Sequence, residues 1–411
     1  MARDLSPAPP AEVGLSPAGL AAIDAYLQGL IDQGVVAGFV TLTARHGKVA
    51  QVSSLGVKDL ATGEPMAADT MFRIFSMTKP VTAVAMMILH DQGLWSPDDP
   101  IAKHLPAFAG AKVFGGMGAD GEIILQEPDH PPTLRELLTH TAGLTYGREP
   151  MEGLETLYQA ADIWRSADLA EMAAKLGDLP LAYQPGTKWI YSLSMDVQGA
   201  VIEALSGQRL PDFMREKIFE PLGMVDTAFH TPPGKKPRLA TLYRSSVSRG
   251  LVPLAGNPLL PDHERPPALA SGGGGLVSTA LDYARFAQML LDGGQFGGRQ
   301  IVSAQGVKQM MTNQLSDEML AQGWGVGKQQ IRPGFGYGYN GVVFTDPEAA
   351  GIPVGQGTYH WDGAAGTWFW VDPENDLIFV GMVQLLSENA PTLQATTQTL
   401  MAEAILHEVR A

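Results

Sequence analysis

The 411-residue chain is 45% hydrophobic, which is enough apolar side chain to fill one large core or two smaller ones. Its 28 Lys and Arg against 43 Asp and Glu give a net charge of −15 at pH 7, which argues against a nucleic-acid or anionic-membrane surface. Cysteine is absent, which excludes disulfides, thiolate metal sites and a cysteine nucleophile.

The beginning of the chain carries no apolar leader, and no later stretch approaches about eighteen consecutive apolar residues. We therefore expect a cytoplasmic protein that contacts neither a membrane nor a nucleic acid. Small neutral molecules are the expected partners, and the oligomeric state stays open.

The first elements are predicted to be a proline-rich arm, a helix and a β-hairpin. The arm covers residues 1–15, and apolar residues recur at helical spacing over about 17–33. Residues 35–44 and 48–56 have the character of strands and are joined at His46-Gly47. Strands therefore come before the first candidate catalytic residue, Ser76.

Residues 70–95 contain a Ser-x-x-Lys quartet at the start of an apolar helix, with Pro80 in its first turn and Gly93 as its C-terminal stop. Because residues three apart share one helix face, the ammonium of Lys79 can reach the hydroxyl of Ser76. Apolar surroundings lower the pKa of a lysine, and a neutral amine can take the proton of a serine nucleophile. By itself such a quartet is more often a helix cap followed by a solvated lysine, so catalysis needs further partners.

From about residue 95 to 290 the pattern is mainly helical with long loops. Thr133 and Glu136 are spaced as a capping box at the start of a short helix. His140, which comes after it, is expected to be a packed structural histidine rather than a catalytic one. The glycine run 271–275 is compatible with a cleft lining and with a flexible turn. Further helices are expected over about 195–205, 211–219 and 280–292.

After residue 320 the sequence becomes rich in aromatic and β-branched residues, which favour strands. Strands are predicted over 336–344, 366–372 and 377–384. A last helix is predicted over about 391–409.

Strands at both ends with helices between them predict an α+β fold, in which the two ends share one mainly antiparallel sheet flanked by helices. We expect an α/β sheet domain from residues 1–70 and 295–411. Residues 71–294 would form an inserted, mainly helical domain, with the active site in the cleft between the two.

Two later segments supply candidate partners for Ser76. Tyr191 follows a Pro-Gly turn at a loop-to-helix junction, from which a phenol can point into a cleft or pack under the next helix. Residues 360–366 are expected on or beside an edge strand, where Gly363 would let a substrate approach the backbone. An ordinary glycine-rich connection is the alternative for this last segment.

Three motifs occur in order along the chain: Ser76-x-x-Lys79, Tyr191-Ser192-Leu193 and Trp361-Asp362-Gly363. This triplet resembles that of the serine β-lactamase and penicillin-recognising superfamily, and within it the class C-like serine esterases called family VIII carboxylesterases. The resemblance covers about residues 15 to 406 and implies a β-lactamase-like fold. Flanking stretches that support it are 72–74, 137–144, 185–187, 220–224 and 273–276.

The resemblance also implies a role for each residue. Ser76 would be the acylated nucleophile, Lys79 its proton partner, and Tyr191 a base held near its phenolate form by the cationic lysine. The backbone N–H groups of Ser76 and Ala364 would form the oxyanion hole. Whether Lys79 or Tyr191 takes the first proton stays open, because strongly coupled groups titrate as a unit.

Two positions depart from the β-lactamase pattern. Leu193 stands where those enzymes usually carry Asn, and Trp361 where they usually carry a Lys that holds a carboxylate. Loss of both polar groups favours an apolar, neutral ester over an anionic amide. If the late motif aligns differently, His360 becomes a rival contact. The predicted substrate-binding residues are therefore Trp361, Gly363, Leu193 and His360.

Other enzyme signatures fail. The chain has no Gly-x-Ser-x-Gly elbow, and the glycines at 336, 338 and 341 lead into a strand rather than the helix of a dinucleotide site. No ligand spacing suggests a metal, and no cofactor is expected. The sequence thus predicts a serine hydrolase, a carboxylesterase that cleaves short-to-medium chain, neutral esters through an acyl-enzyme on Ser76. The alternatives are a β-lactamase, amide hydrolase or acyltransferase with the same site, and a non-catalytic binding protein on this fold.

Overall fold

A seven-stranded sheet joins the two ends of the chain. Its strands are β1 (Gly38–Arg45), β2 (Lys48–Gly56), β3 (Phe335–Tyr337), β4 (Val342–Phe344), β5 (Tyr359–Asp362), β6 (Trp368–Asp372) and β7 (Leu377–Met382). They lie in the order β3-β4-β5-β6-β7-β1-β2, and every neighbouring pair is antiparallel. The α+β class and the sheet shared by both ends are therefore confirmed. The computed structural model describes residues 3–147, 151–246, 248–254, 265–326, 329–331, 333–387 and 391–406.

Helices cover both faces of the sheet, and further helices lie in the part of the chain between β2 and β3. The five longest are α1 (Pro17–Asp32), α2 (Thr78–Asp91), α3 (Ser194–Ser206), α4 (Ala280–Leu291) and α5 (Leu393–Ala404). Shorter α-helices lie at Leu134–Leu138, Leu154–Ala160, Leu169–Gly177, Leu210–Met214, Glu220–Leu222, Ala304–Met310, Asp317–Gln322 and Pro347–Ala350, with a π-helical turn at Arg215–Phe219. The 3-10 turns are Pro10–Val13, Phe75–Met77, Ile101–Lys103, Pro106–Gly110, Ile163–Arg165 and Pro233–Arg238.

Short strands outside the main sheet form small ribbons. They are Phe72–Arg73, Val113–Met117, Ile123–Gln126, Tyr243–Ser246, Gly250–Pro253, Val277–Ser278, Gln295–Phe296, Arg299–Gln300, Trp324–Val326, Gln329–Ile331 and Leu385–Leu386. Within the part of the chain that the structure describes, no helix is long and apolar enough to cross a membrane.

Alternation along the strands explains how the sheet divides the core in two. Trp368 and Trp370 of β6 point to the face that α1 and α5 cover, whereas Phe369 and Val371 point to the opposite face. The strand β7 is buried along its whole length because both faces are covered. The helix α4, at the end of the predicted helical segment, packs on β1, β6 and β7.

The segment 336–344 is a hairpin rather than the single predicted strand. β3 and β4 pair with each other, and the Gly338 N–H donates to the Gly341 carbonyl at 2.8 Å across the turn. Asn340 in that turn has a φ of 57°, a left-handed conformation that asparagine tolerates better than most residues. The Asn-Gly pair was the turn signal in the sequence.

The strand β5 is not an edge strand, so the prediction for residues 360–366 was wrong at His360. That residue pairs with Val342 on one side and Trp370 on the other. Trp361 and Asp362 extend beyond the pairing with β4 and, among the described residues, pair only with β6. Among the described residues, no strand pairs with these two residues on the β4 side, although the edge strand on that side of the sheet is β3.

The other helix predictions agree with the structure to within a few residues. The capping box is present, since the Thr133 hydroxyl accepts from the Glu136 N–H and the Glu136 side chain accepts from the Thr133 N–H. The last helix ends at Ala404, and residues 407–411, which include the end of the predicted span, lie outside the described residues.

Asn340 connects the tip of the β3–β4 hairpin to the helices behind the site. Its buried side-chain N–H2 group donates to the Lys79 carbonyl at 2.9 Å and to Gln198 Oε1 at 2.7 Å, and Gln198 Nε2 donates in return to Asn340 Oδ1 at 3.0 Å. Its own N–H donates to the Leu138 carbonyl at 3.0 Å. One side chain thus holds the sheet, α2 and α3 together.

We predict that Asn340→Gly lowers the free energy of unfolding by about 1–3 kcal/mol, because Gln198 Oε1 and the Lys79 carbonyl lose a buried hydrogen-bond donor while glycine keeps the left-handed turn. Asn340→Ala should cost roughly 1–2 kcal/mol more, since alanine adds the backbone strain. Urea unfolding of the wild type and both variants measures the two terms. Equal stability of the Gly and Ala variants would show that the backbone conformation contributes nothing.

Candidate active site

Ser76 lies in a tight 3-10 turn directly before α2. The preceding residue, Phe75, has a φ of 43°, which a bulky residue adopts only when its surroundings hold it there. The Ile74 N–H donates to the Leu276 carbonyl at 3.0 Å, and the Tyr283 hydroxyl donates to the Met77 carbonyl at 2.8 Å. The turn is therefore fixed on both sides of the serine.

Lys79, in the first turn of α2, is fully buried, with 0% of its surface exposed. Its Nζ lies 3.1 Å from Ser76 Oγ, donates to the Gly273 carbonyl at 2.6 Å and lies 3.5 Å from the Tyr146 hydroxyl. Burial lowers the pKa of Lys79 to about 7, against the opposing field of the Asp196 and Asp362 carboxylates. Near neutral pH, a large fraction of this lysine is therefore an uncharged amine.

Tyr191 completes a three-residue cluster. Its hydroxyl lies 2.6 Å from Ser76 Oγ, and Lys79 Nζ lies 4.6 Å from the centre of its ring. Burial raises the pKa of Tyr191 well above its usual value, and the hydrogen bond between Tyr191 and Ser76 offsets this only in part. This shift opposes the phenolate that the resemblance implied, because burial favours the protonated phenol.

A large cavity opens in front of these groups, with a volume of about 930 Å³. Ser76 and Ala364 both line it, together with the turn that contains Gly273. Its apolar wall consists of Phe75, Tyr146, Trp164, Tyr183, Trp189, Ile190 and Tyr191. Among the described residues on its wall, Lys188 carries a charge and no carboxylate is present; the Lys188 ammonium lies 4.3 Å above the Tyr183 ring.

A family model described as beta-lactamase matches residues 23–403. The chain belongs to the beta-lactamase family. It is 36% identical to an uncharacterized protein of Mycobacterium tuberculosis over 369 residues, which is 88% of each chain. It is 32% identical to Esterase EstB of Burkholderia gladioli over 382 residues, which is 88% of this chain and 90% of EstB.

Among solved structures, this beta-lactamase-family protein is similar to EstCE1, a hydrolase with promiscuous acyltransferase activity. The two share 28% identity and a TM-score of 0.75, over 95% of this chain and 99% of EstCE1. The resemblance drawn from the three motifs, the β-lactamase-like fold and the serine-hydrolase class are therefore confirmed.

Two predicted substrate contacts of this beta-lactamase-family enzyme do not reach the cavity. Trp361 is 4% exposed and packs behind Tyr191 and Tyr337, with ring centres 5.9 and 5.6 Å away. Leu193 is buried at the start of α3. Both predictions were wrong because a motif position shows where a side chain begins along the chain, and the local backbone decides which way it points.

The other two predicted contacts were also wrong. His360 points to the opposite side of β5 from Trp361, where it packs on Phe344 and hydrogen-bonds Gln394 at 2.6 Å; burial lowers its pKa to about 3. Gly363 makes room for the protein rather than for a substrate, because a Cβ there would lie 2.3 Å from the Ile74 carbonyl. Ala364, the next residue, does line the cavity.

His140 is the packed structural histidine that the sequence predicted. Its Nδ1 accepts from the Ser192 N–H at 3.2 Å and lies 3.0 Å from the Ser192 hydroxyl. Burial, with the nearby Lys79 charge, holds its pKa well below the usual value. Its ring packs 5.0 Å from that of Tyr191, so a neutral imidazole supports the phenol from behind.

Sequence reasoning missed three residues around Lys79. Tyr146 and the Gly273 carbonyl contact its amine, and Asp196 lies buried beneath the glycine turn. The signals were an aspartate among the apolar residues of α3 and a glycine run, whose pairing needed the tertiary structure. No group of His, Cys, Asp and Glu suited to a metal ion occurs within the residues that the structure describes.

Proposed function

We propose that this hydrolase is a serine carboxylesterase that cleaves neutral esters of short-to-medium acyl chains through an acyl-enzyme on Ser76. The observation that carries the proposal is the contact of Ser76 Oγ with both Tyr191 Oη at 2.6 Å and Lys79 Nζ at 3.1 Å, on the wall of an aromatic cavity. The names of the relatives, an esterase and a hydrolase, support the same chemistry.

In the acylation step, neutral Lys79 takes the Ser76 proton while Oγ attacks the ester carbonyl. The negative charge that develops on the carbonyl oxygen would be stabilised by the backbone N–H groups of Ser76 and Ala364. Collapse of the tetrahedral intermediate breaks the bond to the alkoxy oxygen. Tyr191, which keeps its proton at rest, donates it to the leaving alcohol and recovers one from the Lys79 ammonium.

Hydrolysis of the acyl-enzyme repeats these transfers with water in place of the serine. Neutral Lys79 removes a proton from the attacking water, Tyr191 donates its proton to Ser76 Oγ as the acyl bond to the serine breaks, and the Lys79 ammonium then restores the proton of Tyr191. The cycle returns each group to its starting state and needs no cofactor. The assignment of Lys79 as first base rests on its lowered pKa beside a tyrosine whose pKa is raised.

The wall of the cavity supports an apolar acyl group, since aromatic side chains offer large faces for alkyl and aryl groups. Leu193 and Trp361 do not support a neutral substrate, because both side chains lie outside the cavity. The preference for neutral esters depends instead on the mainly aromatic wall, on which Lys188 carries the single charge among the described lining residues.

An acyltransferase is the second candidate, and the promiscuous acyltransferase activity of EstCE1 is the observation that favours it. The same acyl-enzyme would then be attacked by an alcohol instead of water. A cavity of about 930 Å³ has room for an acceptor beside a short acyl group.

Our second prediction concerns the nucleophile. A fluorophosphonate should label Ser76 alone, as measured by peptide mass spectrometry, and Ser76→Ala should abolish both labelling and ester hydrolysis. Tyr191→Phe should lower kcat by about 100-fold or more, because positioned acid–base groups typically contribute that much.

Tyr183→Phe is the matched control, since Tyr183 lines the same cavity but makes no contact with Ser76. It should keep kcat within a few-fold of the wild type at equal stability. Labelling at another residue would refute the assignment of Ser76, and a Tyr191→Phe enzyme as active as Tyr183→Phe would remove Tyr191 from the mechanism.

Our third prediction concerns pH. If neutral Lys79 is the base, kcat/KM for a neutral ester should rise through the lysine pKa of about 7 and fall about tenfold per pH unit below it. The sign follows because acid protonates the amine and removes the base. Initial rates from about pH 5 to 9, with a substrate that does not titrate, measure the profile. A rate that is flat across this range would contradict the lysine base.

Our fourth prediction concerns substrate charge. In a matched pair of esters, the wild type should prefer the neutral one over the carboxylate-bearing one, and Lys188→Gln should widen this preference by about 2- to 5-fold, as expected for one exposed charge. Lys308→Gln, an exposed lysine outside the cavity, is the control. The kcat/KM ratios decide the result, and a wild type that favours the carboxylate would overturn the neutral-ester proposal.

A further inference from the structure

The glycine turn 271–275 lies directly on the first residues of α3. A Cβ at Gly272 would lie 2.4 Å from the Met195 carbonyl, and one at Gly273 would lie 2.7 Å from Asp196 Oδ2. Only glycine permits such close contact. The glycine run is therefore neither a flexible turn nor merely a cleft lining, since it lies firmly against the helix behind the site.

Asp196 holds this turn in place. Its Oδ1 accepts from the Ser271 hydroxyl at 2.5 Å and from the Gly273 N–H at 3.2 Å. The same peptide turn presents the Gly273 carbonyl to Lys79 Nζ at 2.6 Å, and the Gly272 carbonyl accepts from the Thr82 hydroxyl at 2.7 Å. A chain of hydrogen bonds thus runs from Asp196 through the turn to the lysine amine.

The carboxyl group of Asp196 is in an unusual environment. The residue is 1% exposed, and its Oδ2 has no hydrogen-bond partner within the described part of the chain. Burying a carboxylate is costly unless an opposite charge lies nearby. Burial raises the pKa of Asp196, and the hydrogen bond from Ser271 and the field of Lys79 oppose that rise. The field of Asp196 in turn favours the ammonium form of Lys79.

The phenols and the imidazole around Lys79 supply no negative charge that could replace that of Asp196. Tyr191 and Tyr146 are phenols, and the pKa of Tyr191 is raised by burial. His140 is held neutral by burial. The half-buried Asp362 is the second carboxylate whose field acts on the lysine, from the end of β5.

We propose that Asp196 is a positioning residue that fixes both the place and the charge of Lys79, acting through the Ser271–Gly273 turn and through its own buried carboxylate. The inference rests on the proposed function, because Lys79 must be the base for its charge to control turnover. No substrate contact is required of Asp196.

Asp196→Asn tests the charge with little change in shape. The amide oxygen can still accept from Ser271 and Gly273, whereas the negative charge is lost. The pKa of Lys79 should fall, so the acid limb of kcat/KM should move to lower pH by roughly 1 unit, the low end of the effect of a close charge. KM should stay within about twofold, since one such hydrogen-bonding group replaces another and neither contacts substrate.

Asp282→Asn is the matched control. Asp282 is also a buried aspartate near a helix start, and it accepts from the Asp226 N–H at 2.7 Å and the Thr227 hydroxyl at 3.0 Å. Its field does not contribute to the pKa of Lys79. Its loss should lower stability without moving the acid limb, so a merely structural effect of removing a buried charge is distinguished from control of the lysine.

Ser271→Ala tests the positional half of the proposal and replaces Asp196→Asn if that variant does not fold. It retains the carboxylate and removes one hydrogen bond that fixes the turn. We expect kcat to fall by about 2- to 10-fold, the range of one hydrogen bond, with KM unchanged and no shift of the acid limb to lower pH. A folded Ser271→Ala enzyme with wild-type kcat would overturn the positional role.

The outcomes separate this inference from the proposed function. A wild type without an acid limb near neutral pH would refute the lysine base itself. A wild type with that limb, but with an unmoved limb in folded Asp196→Asn, would refute control of the Lys79 charge by Asp196 and leave the esterase proposal standing. An equal shift in Asp282→Asn would also refute it.

Discussion

Burial of the Lys79 ammonium is the constraint on which the rest of the site depends. A lysine without water around it is costly as a cation, and its pKa falls to about 7 because the nearby Asp196 and Asp362 carboxylates compensate only part of that cost. The polar atoms it contacts, the Ser76 hydroxyl, the Gly273 carbonyl and the Tyr146 hydroxyl, are all neutral. Because the two carboxylates offset only part of the cost of burial, the amine stays close to the point at which it can either accept or give a proton.

The fold provides this environment by bringing three separate parts of the chain to the first turn of α2. The β3–β4 hairpin contributes Asn340, which binds the Lys79 carbonyl, and α3 contributes Gln198, which binds Asn340. The glycine turn contributes the carbonyl that binds the amine from the other side. The lysine is thus held at both its backbone and its side chain by residues that are more than a hundred positions away, which explains why a local motif is only part of the site.

Recognition of the substrate is left to a different set of residues. Most of the cavity wall consists of aromatic side chains, those of Phe75, Tyr146, Trp164, Tyr183, Trp189 and Tyr191. The positions at which β-lactamases usually carry polar contacts are filled by buried apolar groups, Leu193 and Trp361. Trp361 supports Tyr191 from behind, so the motif has kept its place in the fold while its side chain has a packing role. Specificity in this chain therefore depends on the cavity wall more than on Leu193 and Trp361.

The sequence alone determined the features that depend on local pattern: the α+β class, the β1–β2 hairpin, and the start of α2 with Ser76 and Lys79, because spacing and periodicity are properties of neighbouring residues. The place of Tyr191 beside them followed from the resemblance to the β-lactamase superfamily, and the structure brings the three side chains together. Only the tertiary structure decided which side chains reach the cavity. His360 and Trp361 are adjacent, yet pleating sends them to opposite faces, and which face meets the site depends on the pairing of β5 with β6. Asp196 likewise looked like an ordinary helical residue until the glycine turn, 75 positions later, was placed on it. The direction of the Tyr191 pKa shift also depends on the tertiary structure, since burial of the phenol raises its pKa.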